Sequence, residues 1–232
     1  IGGNLHVAKK PPFKGKFEWA IDYYKSMAKK LNITMKLGKE VTAQEVLALK
    51  PYSILVATGS NVISIPLEGL DQVQTVQAHD VLANDMQFAN KKVVVIGGGI
   101  TGLETALYIN RQGTNQVSVV DMLPEWPVDM LDMRYQNEAL LEVRHCNDQG
   151  VALFYNNKVV KFADGKLFIE STKDGEVKEL PADVIVLSVG VKPNDALWQE
   201  LLASGHPSVW KAGDAIATGK INKAVLHGSK FG

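Results

Sequence analysis

Residues 92–121 read KVVVIGGGITGLETALYINRQGTNQVSVVD, and their order decides the fold. Val93, Val94, Val95 and Ile96 are a short β-branched run, the pattern of a strand buried on both faces. Gly97, Gly99 and Gly102 follow at G-x-G-x-x-G spacing. Leu103 to Arg111 has neither Gly nor Pro and reads as helix; Gly113 fits its end. Val117 to Val120 is a second strand, closing on Asp121. Strand, glycine turn, helix, strand and acid make a complete dinucleotide-binding unit. The first glycine permits the tight turn, the second lets backbone N–H groups approach a pyrophosphate, and the third lets the helix pack on the strand. The helix N-terminus adds partial positive charge facing the phosphates. A strand–helix turn without a ligand would share the glycines, but it leaves the acid at the second strand end unexplained.

Asp121 bears on which nucleotide is expected. A carboxylate there can accept both ribose hydroxyls of NAD and would repel the extra phosphate of NADP. Met122, Leu123, Pro124, Glu125 and Trp126 add no Arg or Lys, so NADH is expected over NADPH.

Outward from this unit, Phe17 to Lys30 repeats Trp19, Ala20, Tyr23, Tyr24, Met27 and Ala28 at helical spacing. Ile33 to Leu37 alternates like a strand. Thr42 and Glu45 form a capping-box pattern before a short helix, Ala43 to Leu49. Ser53 to Ala57 is a buried-type strand running into Thr58-Gly59-Ser60, and a small helix is expected from His79. After an irregular stretch holding Pro124 and Pro127, a helix is expected over Met133 to Cys146, with Ala139, Leu140, Val143 and Cys146 inward. Val151 to Phe154 is a strand, and three more follow at Lys158 to Phe162, Lys166 to Ser171 and Glu176 to Leu180. Asp164-Gly165 and Asp174-Gly175 are hairpin turns between them. Asp183 to Leu187 reads as a parallel-type strand, Leu197 to Ala203 as helix, Ser208 to Ala212 as strand, and Asn222 to Phe231 as the start of a helix.

SILVATGS near residue 56 and VIVLSVGVKPN near residue 186 are similar, each an aliphatic run ending in a small polar residue or a valine and then Gly. This suggests an α/β protein with a Rossmann-like NAD(P)-binding domain, residues 71–196, inserted into a truncated FAD-binding-type domain of similar fold, residues 1–70 and 197–232.

The 232 residues suit one large or two modest domains. Hydrophobic residues are 46% and charged residues 22%, an ordinary globular balance. The formal net charge is zero, which gives no electrostatic case for nucleic acid or an acidic membrane as partner. No apolar run is long enough to span a bilayer as a helix. The opening Ile1-Gly2-Gly3, in place of Met, suggests a piece of something longer. Cys146 is the only cysteine, so a C-x-x-C redox pair or a self-contained iron–sulfur site cannot be assembled from this chain, and a packed thiol is expected. A cytosolic location fits. His6, His79, His145, His206 and His227 form no metal-ligand spacing, and no catalytic acid, base or nucleophile is read.

Ala57-Thr58-Gly59, the GGGxxGxE of Gly97 to Glu104, the aliphatic-G-x-x-P-N of Gly190 to Asn194, and Gly213-Asp214-Ala215 together resemble the two-dinucleotide-binding flavoprotein fold. The opening GGNL, the segment LKPYSILVATGS and the KVVVIGGG context are similar to the C-terminal half of NADH:flavin oxidoreductases of the 2,4-dienoyl-CoA reductase and trimethylamine dehydrogenase type. The resemblance implies NAD near Gly97, Gly98, Gly99, Ile100, Thr101, Gly102, Glu104, Asp121 and Gly190, with Glu104 close to the nicotinamide. It implies FAD near Gly3, Asn4, Thr58, Gly59, Gly213 and Asp214; where this chain has Asn4, the family often has Gln. It also implies an N-terminal barrel carrying FMN and a 4Fe–4S cluster, of which nothing is present here. The family's first FAD-binding strand and glycine turn are expected before Gly2-Gly3, so weak flavin affinity is expected of this stretch.

The expected activity is therefore passage of hydride from NADH to FAD, then of electrons to the cluster and FMN and on to an unsaturated substrate. The rival expectation is a scaffold that holds ADP or NADH without hydride chemistry.

Overall fold

The computed structural model describes residues 1–124 and 136–231, which form two compact units. The first comprises residues 1–33 and 64–189, the second residues 34–63 and 190–232. Among the described residues, no helix is long and apolar enough to cross a membrane.

The first unit opens with helices α1 (Leu5–Ala8) and α2 (Phe17–Lys30). Its second segment holds β3 (Gln74–Gln77), α4 (Ala78–Ala83), β4 (Lys92–Ile96), α5 (Ile100–Asn110), β5 (Gln116–Val120), α6 (Gln136–Asp148) and β6 (Ala152–Phe154). A meander follows, β7 (Asn157–Ala163), β8 (Lys166–Ser171) and β9 (Val177–Pro181), then β10 (Val184–Leu187). Strands β3, β10, β4, β5 and β6 lie side by side in that order, all parallel. Adjacent side chains of β4 point to opposite faces. Val93 and Val95 pack with Leu103, Leu107 and Cys146 of the helices, while Val94 and Ile96 pack with Phe162, Leu167 and Ile169 of the meander. Both faces are covered, which is why these strands are continuous aliphatic runs. Asp164 and Gly165 both take positive φ, as the tight hairpin between β7 and β8 requires.

The second unit contains α3 (Ala43–Ala48), β1 (Ile54–Val56), β2 (Ser60–Val62), β11 (Val191–Pro193), α7 (Ala196–Ala203), β12 (Val209–Lys211) and α8 (Ile221–Gly228). β1 and β12 are parallel, and β2 pairs antiparallel with β11. Ile54, Val56 and Leu201 centre its core, with Val46, Leu47, Leu197 and Val209 around them. The expected capping box is formed: Thr42 Oγ1 accepts the Glu45 N–H, and the Glu45 carboxylate accepts the Thr42 N–H.

Three expectations need correction. Ile33 to Leu37 forms no strand: alternation alone gives no ladder partner, and Ile33, Met35 and Leu37 are exposed. On α2 the buried residues are Ile21 and Ala28, seven apart, whereas Trp19, Tyr23 and Tyr24 face outward. On α6, Leu140 is exposed and Glu142 takes an inward place beside Ala139 and Cys146, because positions 139, 142 and 146 share one face. The expected irregular stretch through Pro127 and the first residues of the helix expected from Met133 lie outside the described residues.

Candidate nucleotide-binding site

The glycine turn joins β4 to α5, and each glycine meets a different constraint. Gly97 has φ +109°, and its N–H donates to the Val120 carbonyl at 2.8 Å. A Cβ there would also lie 2.2 Å from the Ser188 carbonyl oxygen. Gly98 donates its N–H to Asp121 Oδ2 at 2.6 Å. Gly99 is the N-cap of α5, with extended backbone (φ −68°, ψ 174°). Ile100 is buried and Thr101 exposed, so the two flanking positions of the turn face differently. At Gly102 a Cβ would lie 1.9 Å from the Gly97 carbonyl oxygen: this glycine lets the helix close onto the strand end.

Asp121 follows β5 and is fixed through four hydrogen bonds. Its N–H donates to the Phe154 carbonyl and its carbonyl accepts the Asn157 N–H, both at 2.9 Å. Oδ2 accepts from Gly98 and Oδ1 from the Leu123 N–H at 2.8 Å. A carboxylate offers about four lone-pair sites. Two are taken by backbone donors, leaving acceptor capacity for two further donors such as a pair of ribose hydroxyls. The turn geometry and the acid thus fit a dinucleotide.

Glu104 lies in the second turn of α5, nearly buried. The Lys14 ammonium pairs with it and with Glu138 of α6, the latter at 2.6 Å. Burial pushes the Glu104 carboxyl above its ordinary range, and Lys14 offsets part of that rise. Burial pulls the Lys14 ammonium down, but Glu104 and Glu138 outweigh it and leave Lys14 raised. Glu142, one turn beyond Glu138, is also raised by burial. Sequence reasoning missed Lys14 and Glu142; a lysine in a Pro-rich loop and an acid on a helix face give no signal of a partner 90 or more residues away. Cys146 is buried behind Leu103, its S–H directed at that residue's carbonyl at 3.8 Å, and burial pushes its thiol up to about 12.

Gly190, with φ +103°, falls in the second unit, where its carbonyl accepts the Ile63 N–H. The residues expected around flavin are divided. Gly3 and Asn4 lie at the start of α1 in the first unit, both exposed, and Asn4 caps the helix without a side-chain bond. In the second unit, Gly59 has φ +76° and its carbonyl accepts the Asn194 N–H at 3.0 Å, while the Thr58 hydroxyl donates to the Asn194 carbonyl. Asp214 Oδ1 accepts the Gly219 N–H at 3.0 Å and Oδ2 faces the Ser60 hydroxyl at 3.4 Å. Gly213 has φ +62° and donates its N–H to His227 Nδ1 at 3.2 Å. Asp214 keeps unused acceptor sites, which suits a polyhydroxylated ligand chain. The motif gives Asn194 no role of its own; in the fold its backbone links Thr58 and Gly59.

Comparison with known proteins agrees with this geometry. The chain is 33% identical over 194 residues to the bilirubin reductase of Mediterraneibacter gnavus (strain CC55_001C), a match covering 84% of this chain and 29% of that protein. It is 30% identical over 236 residues to the NADH oxidase of Thermoanaerobacter brockii, covering 98% of this chain and 35% of that one. Among solved structures it is similar to 2-naphthoyl-CoA reductase in complex with 2-naphthoyl-CoA, with a TM-score of 0.89 and 27% identity, over 100% of this chain and 34% of that one. The chain therefore spans about a third of the length of these relatives. Residues 16–226 match the pyridine nucleotide-disulphide oxidoreductase family, which binds FAD and NAD(P)H, and the chain belongs to it.

Proposed function

We propose that this chain is the pyridine-nucleotide and flavin portion of a longer NADH-dependent flavin oxidoreductase. In this reading residues 71–196 form the NAD domain, set within the flavin-type segments 1–70 and 197–232. The observation that carries it is the Asp121 carboxylate, held at the end of β5 by Gly98 and Leu123 with acceptor sites to spare. Asp121 would take the adenosine ribose, the turn from Gly97 to Gly102 would receive the pyrophosphate, and Glu104 with Lys14 would border the nicotinamide end. Thr58, Gly59, Gly213 and Asp214 of the second unit would serve the flavin.

When bound, NADH and FAD would supply the hydride chemistry, and the protein would position them and exclude water. In the whole protein, electrons would continue to a barrel with FMN and a 4Fe–4S cluster and reduce an unsaturated substrate. The relatives named for reduction of bilirubin, cinnamate and 2-naphthoyl-CoA support a reductase of this type. The test is flavin absorbance of the full-length protein under anaerobic addition of NADH. Bleaching is expected; a flavin-loaded protein that NADH leaves unbleached would refute the reading in favour of a nucleotide-holding scaffold.

A further inference from the structure

Two large apolar side chains stand exposed directly after Asp121: Met122 at 62% and Leu123 at 38%. A single exposed apolar residue is ordinary and needs no explanation. These two are consecutive, and they sit on a bend whose backbone is pinned on both sides. The Asp121 N–H donates to the Phe154 carbonyl and the Asp121 carbonyl accepts the Asn157 N–H, both at 2.9 Å. The Leu123 carbonyl accepts the Asn156 N–H at 2.8 Å, and the Leu123 N–H closes back on Asp121 Oδ1, also at 2.8 Å. Met122 thus lies between two anchored residues, and the bend itself holds it in solvent.

The carboxylate next to it says what kind of group would cover it. The two hydroxyl-bearing carbons of a ribose lie between the carbon that carries the base and the carbon that leads to the phosphates. With the hydroxyls on Asp121 and the pyrophosphate at the glycine turn, the base leaves the ribose on the side away from the turn. The exposed apolar pair adjoins Asp121 in the chain, at the carboxyl end of β5, where open parallel sheets place their ligands. A base offers a flat π-face, and a thioether is a favourable and adaptable partner for one.

We propose that Met122, flanked by Leu123, is the platform on which the adenine of the bound nucleotide packs while the adjoining ribose rests on Asp121. This rests on the nucleotide reading given above. A platform meets the face of the ring and leaves its edge free, so it holds a purine without reading its amino group.

The experiment titrates NADH and reduced nicotinamide hypoxanthine dinucleotide, in which a carbonyl replaces the adenine amino group, into wild type, Met122→Ser and Met122→Leu by calorimetry. A thermal melt of each free chain accompanies it. The free chains are expected to melt together, because the Met122 side chain is exposed. Wild type is expected to bind the two nucleotides within about threefold of each other. Met122→Ser should weaken both about tenfold, the scale of one apolar contact with a base, and Met122→Leu should stay within about threefold of wild type. NADH binding unchanged in Met122→Ser, an equal loss in Met122→Leu, or a strong wild-type preference between the two bases overturns the proposal while leaving the nucleotide site intact. Absence of any NADH binding by wild type overturns both.

Discussion

The Gly98 N–H donates to Asp121 Oδ2 at 2.6 Å, across 23 residues of sequence. The turn between β4 and α5 and the acid after β5 are therefore one hydrogen-bonded object. The carboxylate steers the Gly98 amide and so shapes the turn that, in the proposed function, would face the phosphates. It also retains acceptor sites for a ribose. A substitution at Asp121 is thus expected to act on ligand and turn together.

Asp121→Ala is expected to weaken NADH binding by about 1–3 kcal/mol, the scale for losing a hydrogen-bonded acceptor, with a smaller loss for NADPH. It should also lower the melting temperature of the free chain, since the Gly98 and Leu123 amides lose their acceptor. Titration of both nucleotides against wild type and variant, with a melt of each, decides it. A wild type that prefers NADPH would contradict the assignment of this carboxylate.

The parallel sheet around residues 92–121 was legible because burial on both faces leaves an unbroken aliphatic run, and because positive φ at Gly97 and a close contact at Gly102 leave glycine little alternative. β3 was not legible. Its Gln-Thr-Val-Gln sequence lacks the aliphatic signal, because it is an edge strand paired on one side only, with β10. Helix faces were legible only in part. Leu140 and Glu142 exchange the places that hydropathy assigns them, and the reason is long-range: α6 carries a row of acids along the side nearest Lys14. Likewise Asp121 could be found by its spacing from the turn, whereas the pairing of Lys14 with Glu104 spans 90 residues that no periodicity links.

Leu140→Lys is accordingly expected to change stability by no more than about 0.5 kcal/mol, as for an ordinary surface site. Ala139→Lys, one residue earlier and fully buried, should prevent stable folding. Chemical denaturation of the two variants checks the face assignment. A large loss at Leu140 would mean that the helix is rotated from the orientation described.

Lys14→Met should destabilise the chain more at pH 8 than at pH 5. Burial already raises the folded Glu104 carboxyl above its unfolded value, so the native state binds the proton more tightly. Ionising Glu104 therefore costs stability as pH rises through and above the ordinary carboxylate range. Lys14 offsets that cost in wild type; without it the carboxylate is buried and uncompensated. Removing one partner of a buried pair costs about 3–5 kcal/mol when the other stays charged. With the Lys14 side chain 20% exposed and that of Glu104 9%, the lower end of that range is expected at pH 8. Denaturant unfolding of wild type and variant at the two pH values gives the difference. A loss independent of pH would assign Lys14 a packing role alone.

Native Cys146 should resist alkylation. Its side chain is buried, and a thiol pushed up to about 12 holds almost no thiolate at pH 8. Iodoacetamide labelling followed by mass measurement should be slow in buffer and fast in denaturant, so its rate reports opening of the α5–α6 contact. Rapid labelling of the folded chain would contradict the burial of this thiol.

Gly99 and Gly102 should separate binding from folding. Gly99 has backbone angles open to any residue, so Gly99→Ala should cost the free chain no more than the poorer alanine N-cap, about 1 kcal/mol or less. Its added Cβ would occupy the space where the pyrophosphate approaches the α5 N-terminus, and NADH should no longer raise the melting temperature. Gly102→Ala differs, because its Cβ would lie 1.9 Å from the Gly97 carbonyl oxygen and the helix must move off the strand. Overpacking of this kind costs about 1–3 kcal/mol, so Gly102→Ala should melt lower even without ligand, and a displaced turn should bind poorly as well. The measurement is a thermal melt of each variant with and without NADH. If Gly99→Ala keeps the NADH-induced rise seen in wild type, the turn is a fold element only, and the phosphates lie elsewhere.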